Sequence, residues 1–416
     1  MEKIYEKFRD AKVDGLFVPH CNFGTEYEVC RLAKKLNVPV LLWGPRDECP
    51  DENGMRLRDS QCGLFATGKV LRRFGIPFTY LKNCNLEDEC FAEGIDRFLR
   101  VCNVVKAFRN TRVLQISTRP FDFWSTMCNE GELLEKFGIQ LSPIPMPELT
   151  QAMKDVKENS PEEIKEVTDY CREKMCIKVT PEQLDNVAAL KIAMTRLGKK
   201  YGCNCGAIQC WNALQDEIGI MPCAANALCN DEGFPIACET DIHGTITSVL
   251  VEAAAMGETR SFFADWTVRH PYNDNAELLQ HCGPWPISIA KEKPTIDTPV
   301  AFDCSGSLMA QAKDGEHISL VRFDGDNGEY SLLLGNAKTV DGPYTKGTYM
   351  WVEVENLDRL EDKLVQGPYI HHCVGVHQDV VPVLYEACKY IGVTPDLYDP
   401  IEEKVKAIIR GEKVEK

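Results

Sequence analysis

From the N-terminus to about residue 100, short apolar runs alternate with amphipathic segments. Gly15 to Pro19, Val38 to Trp43 and Ile76 to Tyr80 read as buried strands, with Glu26 to Leu36 and Gly63 to Phe74 as the helices between them. That rhythm marks a parallel sheet covered on both faces. It restarts near Val104, where Arg112 to Ser117 predicts a strand, the segment through Glu132 to Lys136 a helix stopped by Gly138, and Ile139 to Leu141 the next strand. Pro161 and Pro181, each preceded by Ser or Thr and followed by Glu, sit where helices begin. From Val300 the apolar period shortens to two. Ser307 to Ala312, His317 to Phe323, Tyr330 to Gly335 and Tyr349 to Val354 predict an antiparallel sheet or small barrel, with a turn at Asp324 to Gly328. Helices over Val380 to Ile391 and Ile401 to Ile409 close the chain, followed by a charged tail from Gly411 to Lys416.

At 416 residues the chain exceeds one ordinary core and predicts two or three domains. No window holds about 18 uninterrupted apolar residues, and no apolar signal core follows the first charges, so the expected location is cytoplasmic and no membrane is involved. A net charge of −16 argues against nucleic acid and anionic membranes, which call for clustered Lys and Arg. It leaves room for a small anionic substrate, which needs one local cation. The 20 cysteines include no Cys-x-x-Cys pair, so most are read as reduced, buried thiols and not as zinc ligands or a disulfide framework. Neither opening strand is followed by Gly-x-Gly-x-x-Gly, which removes support for a dinucleotide site.

Candidate chemistry gathers in three places. Cys238 to Gly244 contains Glu239 and Asp241, alternate acids that face one side if the backbone is extended, just before an apolar helix from about Thr245 to Met256. Glu217 lies 24 residues before Asp241, and the two meet if the segment between them folds back through the turn at Asn230 to Gly233. Downstream, His371, His372 and His377 put three of the chain's eight histidines within seven residues. Carboxylates and imidazoles in this proportion suit a divalent cation or a proton relay, and burial of unpaired acids calls for a cation or an Arg partner. His20, Cys21, Asn22 and Arg46 follow predicted strand ends, where ligands of parallel sheets bind.

Taken together, Cys210-Trp211, Gln215-x-Glu217, Ile220-x-Pro222-Cys223, Cys238-Glu239-x-Asp241-x-x-Gly244, His281-Cys282-Gly283 and His371-His372 resemble the L-fucose isomerase and L-arabinose isomerase superfamily, in its shorter fucose-isomerase-like branch. The resemblance implies an α/β protein with two Rossmann-like parallel-sheet domains followed by a C-terminal domain containing an antiparallel β-barrel. The corresponding divisions are residues 1–104, residues 105–233 with Glu217, and residues 234–416 with Asp241 and His372. It further implies a homo-oligomer, trimer or hexamer, whose active site is completed by a neighbouring subunit. The implied cofactor is Mn²⁺, with Mg²⁺ or Co²⁺ as alternatives. By the same resemblance Glu217, Asp241 and His372 are the metal ligands, with His371 as a substitute for His372, and Glu239 falls outside the ligand set.

The implied reaction interconverts an aldose and a ketose through an enediol, with Glu217 as base and Asp241 managing the oxygen proton. Arg119, His281 and His371 are expected to bind the sugar. The family's sugar contacts find no match in the N-terminal region, which keeps open a C6-modified anionic aldose such as sulfoquinovose, with Arg46, Lys106 and Arg119 as candidate cations. A non-catalytic sugar-binding protein is the alternative from another class.

Overall fold

The computed structural model describes residues 1–300 and 303–414, so Glu415 and Lys416 of the expected charged tail lie outside the described residues. The chain forms two compact units, one of Met1–Lys106, Val381–Val393 and Pro400–Lys416, the other of Ala107–Val380 and Thr394–Asp399. The two C-terminal helices belong to the first unit.

In the first unit, strands Leu16–Pro19, Val40–Trp43 and Thr79–Tyr80 make a three-stranded parallel sheet in chain order. The middle strand is buried throughout because it has a neighbour on each edge and side chains on both faces. Helix Glu26–Leu36 ends at Asn37 in the left-handed conformation, and helix Ser60–Arg73 adds Leu64 and Leu71 to the core with Leu42 and Cys30. His20 is buried just past the first strand, and Arg46 follows the second.

The second unit joins a parallel sheet to a barrel. Its parallel sheet has the order Gln140–Ile144, Arg112–Ile116, Cys205–Ile208, Ile236–Ala237. Helix Pro181–Tyr201 packs on it, started by a capping box in which Thr180 and Gln183 satisfy each other's backbone N–H groups. The barrel runs through Glu329–Val340, Ile318–Asp326, His372–Val376, Phe262–His270, Asn273–His281 and Thr348–Glu353, and closes by pairing the last with the first. All six pairings are antiparallel. Closure removes the open edges that six strands otherwise expose.

The parallel sheets and the closed barrel are therefore present, in sheets of three and four strands. The barrel opens at Phe262, well before the Val300 at which the alternating pattern becomes legible. Strand Asn273–His281 begins with Asn-Asp-Asn, which reads as a turn, and strand Phe262–His270 loses its apolar run at exposed Thr267 to Arg269. Asp324, expected in a turn, is a strand residue, and the turn falls at Asn327 and Gly328. Among the described residues no helix is long and apolar enough to cross a membrane.

One helix, Ile242–Ala254, connects the two halves of this unit. It is apolar on nearly every side and packs against strands of both the parallel sheet and the barrel. A helix of that kind is interior by necessity. Its N-terminus is where the acids of Cys238 to Gly244 emerge.

Candidate metal centre

Strand Ile236–Ala237 ends abruptly. Glu239 and Thr240 follow with φ of 51° and 54°, the left-handed region that non-glycine residues seldom enter. Two such residues in succession persist only where surroundings hold them, and strain of this sort collects at functional sites. Here the Thr240 N–H donates to Ile208 O (3.0 Å), its hydroxyl donates to Thr118 O (3.1 Å), and the Glu239 N–H donates to Cys210 Sγ (3.4 Å). The expected extended path, with Glu239 and Asp241 on one face, is thereby corrected: the double turn sends the two carboxylates to different partners.

Glu239 faces the barrel. Its Oε2 lies 3.4 Å from His281 Nε2 and 3.9 Å from His372 Nε2. Asp265 Oδ1 completes the ring, 3.5 Å from His372 Nε2 and 3.9 Å from His281 Nε2. Strand pairing sets this arrangement, since His372 is registered opposite Asp265 and His281 ends the next strand. Among the described residues, Glu239 Oε2 and Asp265 Oδ1 are buried and take part in no hydrogen bond. Two carboxylate oxygens and two imidazole nitrogens at these separations suit a cation held at about 2.0–2.2 Å from each donor. His371 adds its ring beside Asp265 and His372, on the exposed side.

Asp241 turns the other way. Its Oδ1 accepts from the Gly244 N–H (2.9 Å) as the helix N-cap, and its Oδ2 lies 2.8 Å from His372 Nδ1. Gly244 has no room for a side chain, since a Cβ there sits 2.5 Å from Phe263 and 2.7 Å from Asp241 Oδ2. By occupying Nδ1, Asp241 leaves His372 Nε2 facing the cluster, the orientation that metal-binding histidines take from a carboxylate behind them. Phe123 stacks on the His372 ring at 5.5 Å and Phe263 meets its face edge-on at 4.8 Å, so the imidazole is fixed on three sides.

Behind Asp241 stands Arg322, 1% exposed. Its guanidinium forks across Asp241, with Nη2 to Oδ1 at 3.1 Å and Nη1 to Oδ2, while Nε donates to Asp324 Oδ2 at 2.9 Å. Asp324 in turn meets His243 Nδ1 at 2.9 Å. Burial raises the Asp241 carboxyl, but Arg322 and His372 outweigh it and hold the group well below the usual carboxylate range. Burial lowers His281, and the charges of Glu239 and Asp265 more than reverse this, raising it to about 9. Glu239 is likewise held low against its burial by His281 and His372.

Of the residues named from sequence, Asp241, His281, His371 and His372 are brought together. Glu217 is not. It lies exposed on helix Ala213–Ile218 and lines a separate cavity of about 590 Å³ with Lys154, Lys157 and Glu182. Arg119, after strand Arg112–Ile116, turns its Nη1 onto the carbonyls of Pro120 (3.2 Å) and Phe121 (3.1 Å) in its own loop. Asp265 and Arg322 escaped sequence reading. Each had a signal, an ionised residue inside an apolar strand: Asp265 in Phe262 to Trp266, and Arg322 with Asp324 two positions on.

A parallel sheet and a closed barrel are thus joined by a buried helix, with acids and imidazoles converging at their junction. Comparison with known proteins adds a family likeness. Residues 1–109 match the model of the fucose/sulfoquinovose isomerase N-terminal domain. Sulfoquinovose isomerase of Priestia aryabhattai is 24% identical over 405 residues, covering 96% of this chain and 88% of that protein. The sulfoquinovose isomerases of Alkalicoccus urumqiensis and Clostridium sp. (strain MSTE9) are each 24% identical, over 85% and 66% of this chain and 79% and 61% of their own lengths. These similarities support a fucose-isomerase-like family.

Proposed function

We propose that this protein is an aldose–ketose isomerase of a sulfonated sugar, dependent on a divalent cation held by Glu239, Asp265, His281 and His372. The relatives that cover most of the chain are sulfoquinovose isomerases, which favours the anionic C6-modified aldose over a neutral sugar of the L-fucose or L-arabinose type. One observation carries the metal: four buried donor atoms on four chain segments, 3.4 to 3.9 Å between neighbours, two of them carboxylate oxygens outside any hydrogen bond. In this reading Asp241 orients His372 from behind, and the sequence-based assignment of Asp241 as ligand and Glu239 as bystander is exchanged.

A bound divalent cation supplies Lewis-acid stabilisation of the negative charge that develops on the sugar oxygens. The chain's own groups do the remainder. Isomerisation moves one proton between C1 and C2 and another between the attached oxygens. The His371 imidazole, beside Asp265 and His372, is held below its ordinary value by partial desolvation and by the neighbouring His372. A neutral imidazole there accepts and returns a proton on the open side, and Asp265 offers a carboxylate within reach. Phe123 and Trp211, edge to face at 5.2 Å, wall that side. Imidazoles and carboxylates together suit Mn²⁺ or Co²⁺ better than Mg²⁺, which prefers oxygen alone.

The test is to assay the purified protein, loaded with Mn²⁺, on sulfoquinovose and on L-fucose, following ketose formation by NMR. Sulfoquinovose is expected to turn over and L-fucose to lag at least tenfold. Preference for L-fucose defeats the sulfonate assignment. Full activity after exhaustive chelation, with no metal in elemental analysis, defeats the metal.

A further inference from the structure

We propose that Cys210 and Cys238, with Glu239 as a shared carboxylate, form a second metal site that selects thiophilic cations of the Zn²⁺ or Cd²⁺ class. Neighbouring parallel strands deliver the two thiols: Cys210 follows Cys205–Ile208 and Cys238 follows Ile236–Ala237. The two sulfurs and a Glu239 carboxylate oxygen all lie within 4.8 Å of one another. Glu239 has one oxygen for each side, since Oε2 faces the imidazoles while Oε1 accepts from Cys210 Sγ at 3.5 Å.

Buried cysteines usually serve as small apolar side chains. These two are approached differently. Each sulfur accepts from an N–H group, Cys210 from the Glu239 backbone at 3.4 Å and Cys238 from Asn226 Nδ2 at 3.6 Å. Donors aimed at sulfur would solvate the thiolates that remain once a metal displaces the protons, and they tune metal–sulfur centres. The Glu239 donor belongs to the segment in which Glu239 and Thr240 hold left-handed conformations.

Ligand softness separates the two sites. A hard cation such as Mn²⁺ prefers the oxygens and imidazoles, whereas Zn²⁺ and Cd²⁺ accept sulfur readily. Capture forms two metal–sulfur bonds as two S–H bonds release their protons to solvent, with no change of oxidation state. Because Glu239 serves both sites, a filled thiol site draws its carboxylate from the imidazoles. The loss of turnover this implies rests on the isomerase reading above; the binding itself does not.

The experiment uses the full chain in a Cys84→Ser/Cys90→Ser background, which removes another thiol pair lying near a carboxylate. The protein is loaded with Mn²⁺, kept under a phosphine reductant and titrated with Cd²⁺. One equivalent is expected to produce sulfur-to-cadmium ultraviolet absorption and to lower turnover about tenfold, reversed by chelator. Cys210→Ser and Cys238→Ser should each abolish the absorption, while Cys49→Ser and Cys62→Ser, at exposed thiols, should keep it. X-ray absorption at the cadmium edge, which needs no substitution at the site, should show at least two sulfur neighbours. A shell of nitrogen and oxygen alone, or absorption that survives in both site variants, overturns the proposal. If turnover never appears on any aldose but the absorption follows this pattern, the thiol site stands and the isomerase reading falls.

Discussion

Two clusters of ionisable side chains lie back to back in the second unit, opposite in character. Asp241, Arg322, Asp324 and His243 form a closed set in which the guanidinium is forked between two carboxylates and an imidazole completes the second. Glu239, Asp265, His281 and His372 form an open set, with two carboxylate oxygens outside any hydrogen bond and nitrogens turned inward. Burying charge costs several kcal/mol unless a partner offsets it. In the first cluster the protein supplies the partner. In the second the carboxylates face only imidazoles, which is why a cation from outside is proposed there. The bond from Asp241 to His372 joins them, so the closed cluster serves as the rigid backing of the open one.

The largest effect should come from the open cluster. Glu239→Gln keeps the side chain's shape and removes its charge, and should lower turnover about 10⁴-fold while the melting temperature holds. Loss of fold with loss of activity would instead place Glu239 among structural residues. Next comes the closed cluster, where Arg322→Met strands two buried carboxylates. Denaturant unfolding should show a loss of about 3–5 kcal/mol. A change below about 1 kcal/mol would mean that Asp241 and Asp324 find protons or water in place of the guanidinium. At the link, Asp241→Asn retains a hydrogen-bonding oxygen and loses the charge behind His372. Manganese affinity by calorimetry should fall about 10 to 100-fold, and unchanged affinity would separate the clusters functionally.

Legibility in the sequence followed the same division. Elements with their own period or punctuation were readable: helix Glu26–Leu36 lies where its pattern predicts, Thr180 starts its helix as a capping box, and the alternating strands from Ser307 onward are strands of the second unit. Cys238 to Gly244 and His371-His372 stood out because polar residues sat among apolar ones, and Asp241 and His372 do meet. What spacing could not convey was the backbone at Glu239 and Thr240. Left-handed φ at non-glycine residues has no local signature, and it decides which acid faces the imidazoles. Asp265 and Arg322 come from strands whose pairing closes a barrel, so their partners are far away in sequence and invisible to any local pattern.

A further buried carboxylate sharpens the contrast because it has neither solution. Glu277, on the same strand as His281, is raised to about 7 by burial and by the nearby Glu361, against a smaller opposing effect of Arg269. Its folded value exceeds the unfolded value of about 4.3, so between those two pH values the folded state binds the extra proton. Stability from this group is therefore present below about pH 4.3 and lost as pH rises through about 7. Glu277→Gln should remove that loss and stabilise the protein by about 2 kcal/mol above pH 8, read from melts across a pH series. Parallel pH profiles for the two proteins would show that Glu277 ionises without penalty.

The smallest effect is expected at the acid that spacing alone favoured. Glu217 is exposed on a short helix and lines a cavity with lysines, away from the imidazoles. An exposed carboxylate in water has no burial to offset, so Glu217→Gln should change stability by less than about 0.5 kcal/mol. Manganese stoichiometry should also be unchanged, because all four proposed donors remain. Turnover is the informative reading. If Glu217→Gln retains it, the base belongs to the open cluster of its own chain. If turnover collapses while metal binding and stability hold, Glu217 acts on a site it does not line here, and the expected completion of each active site by a neighbouring subunit becomes the explanation to pursue.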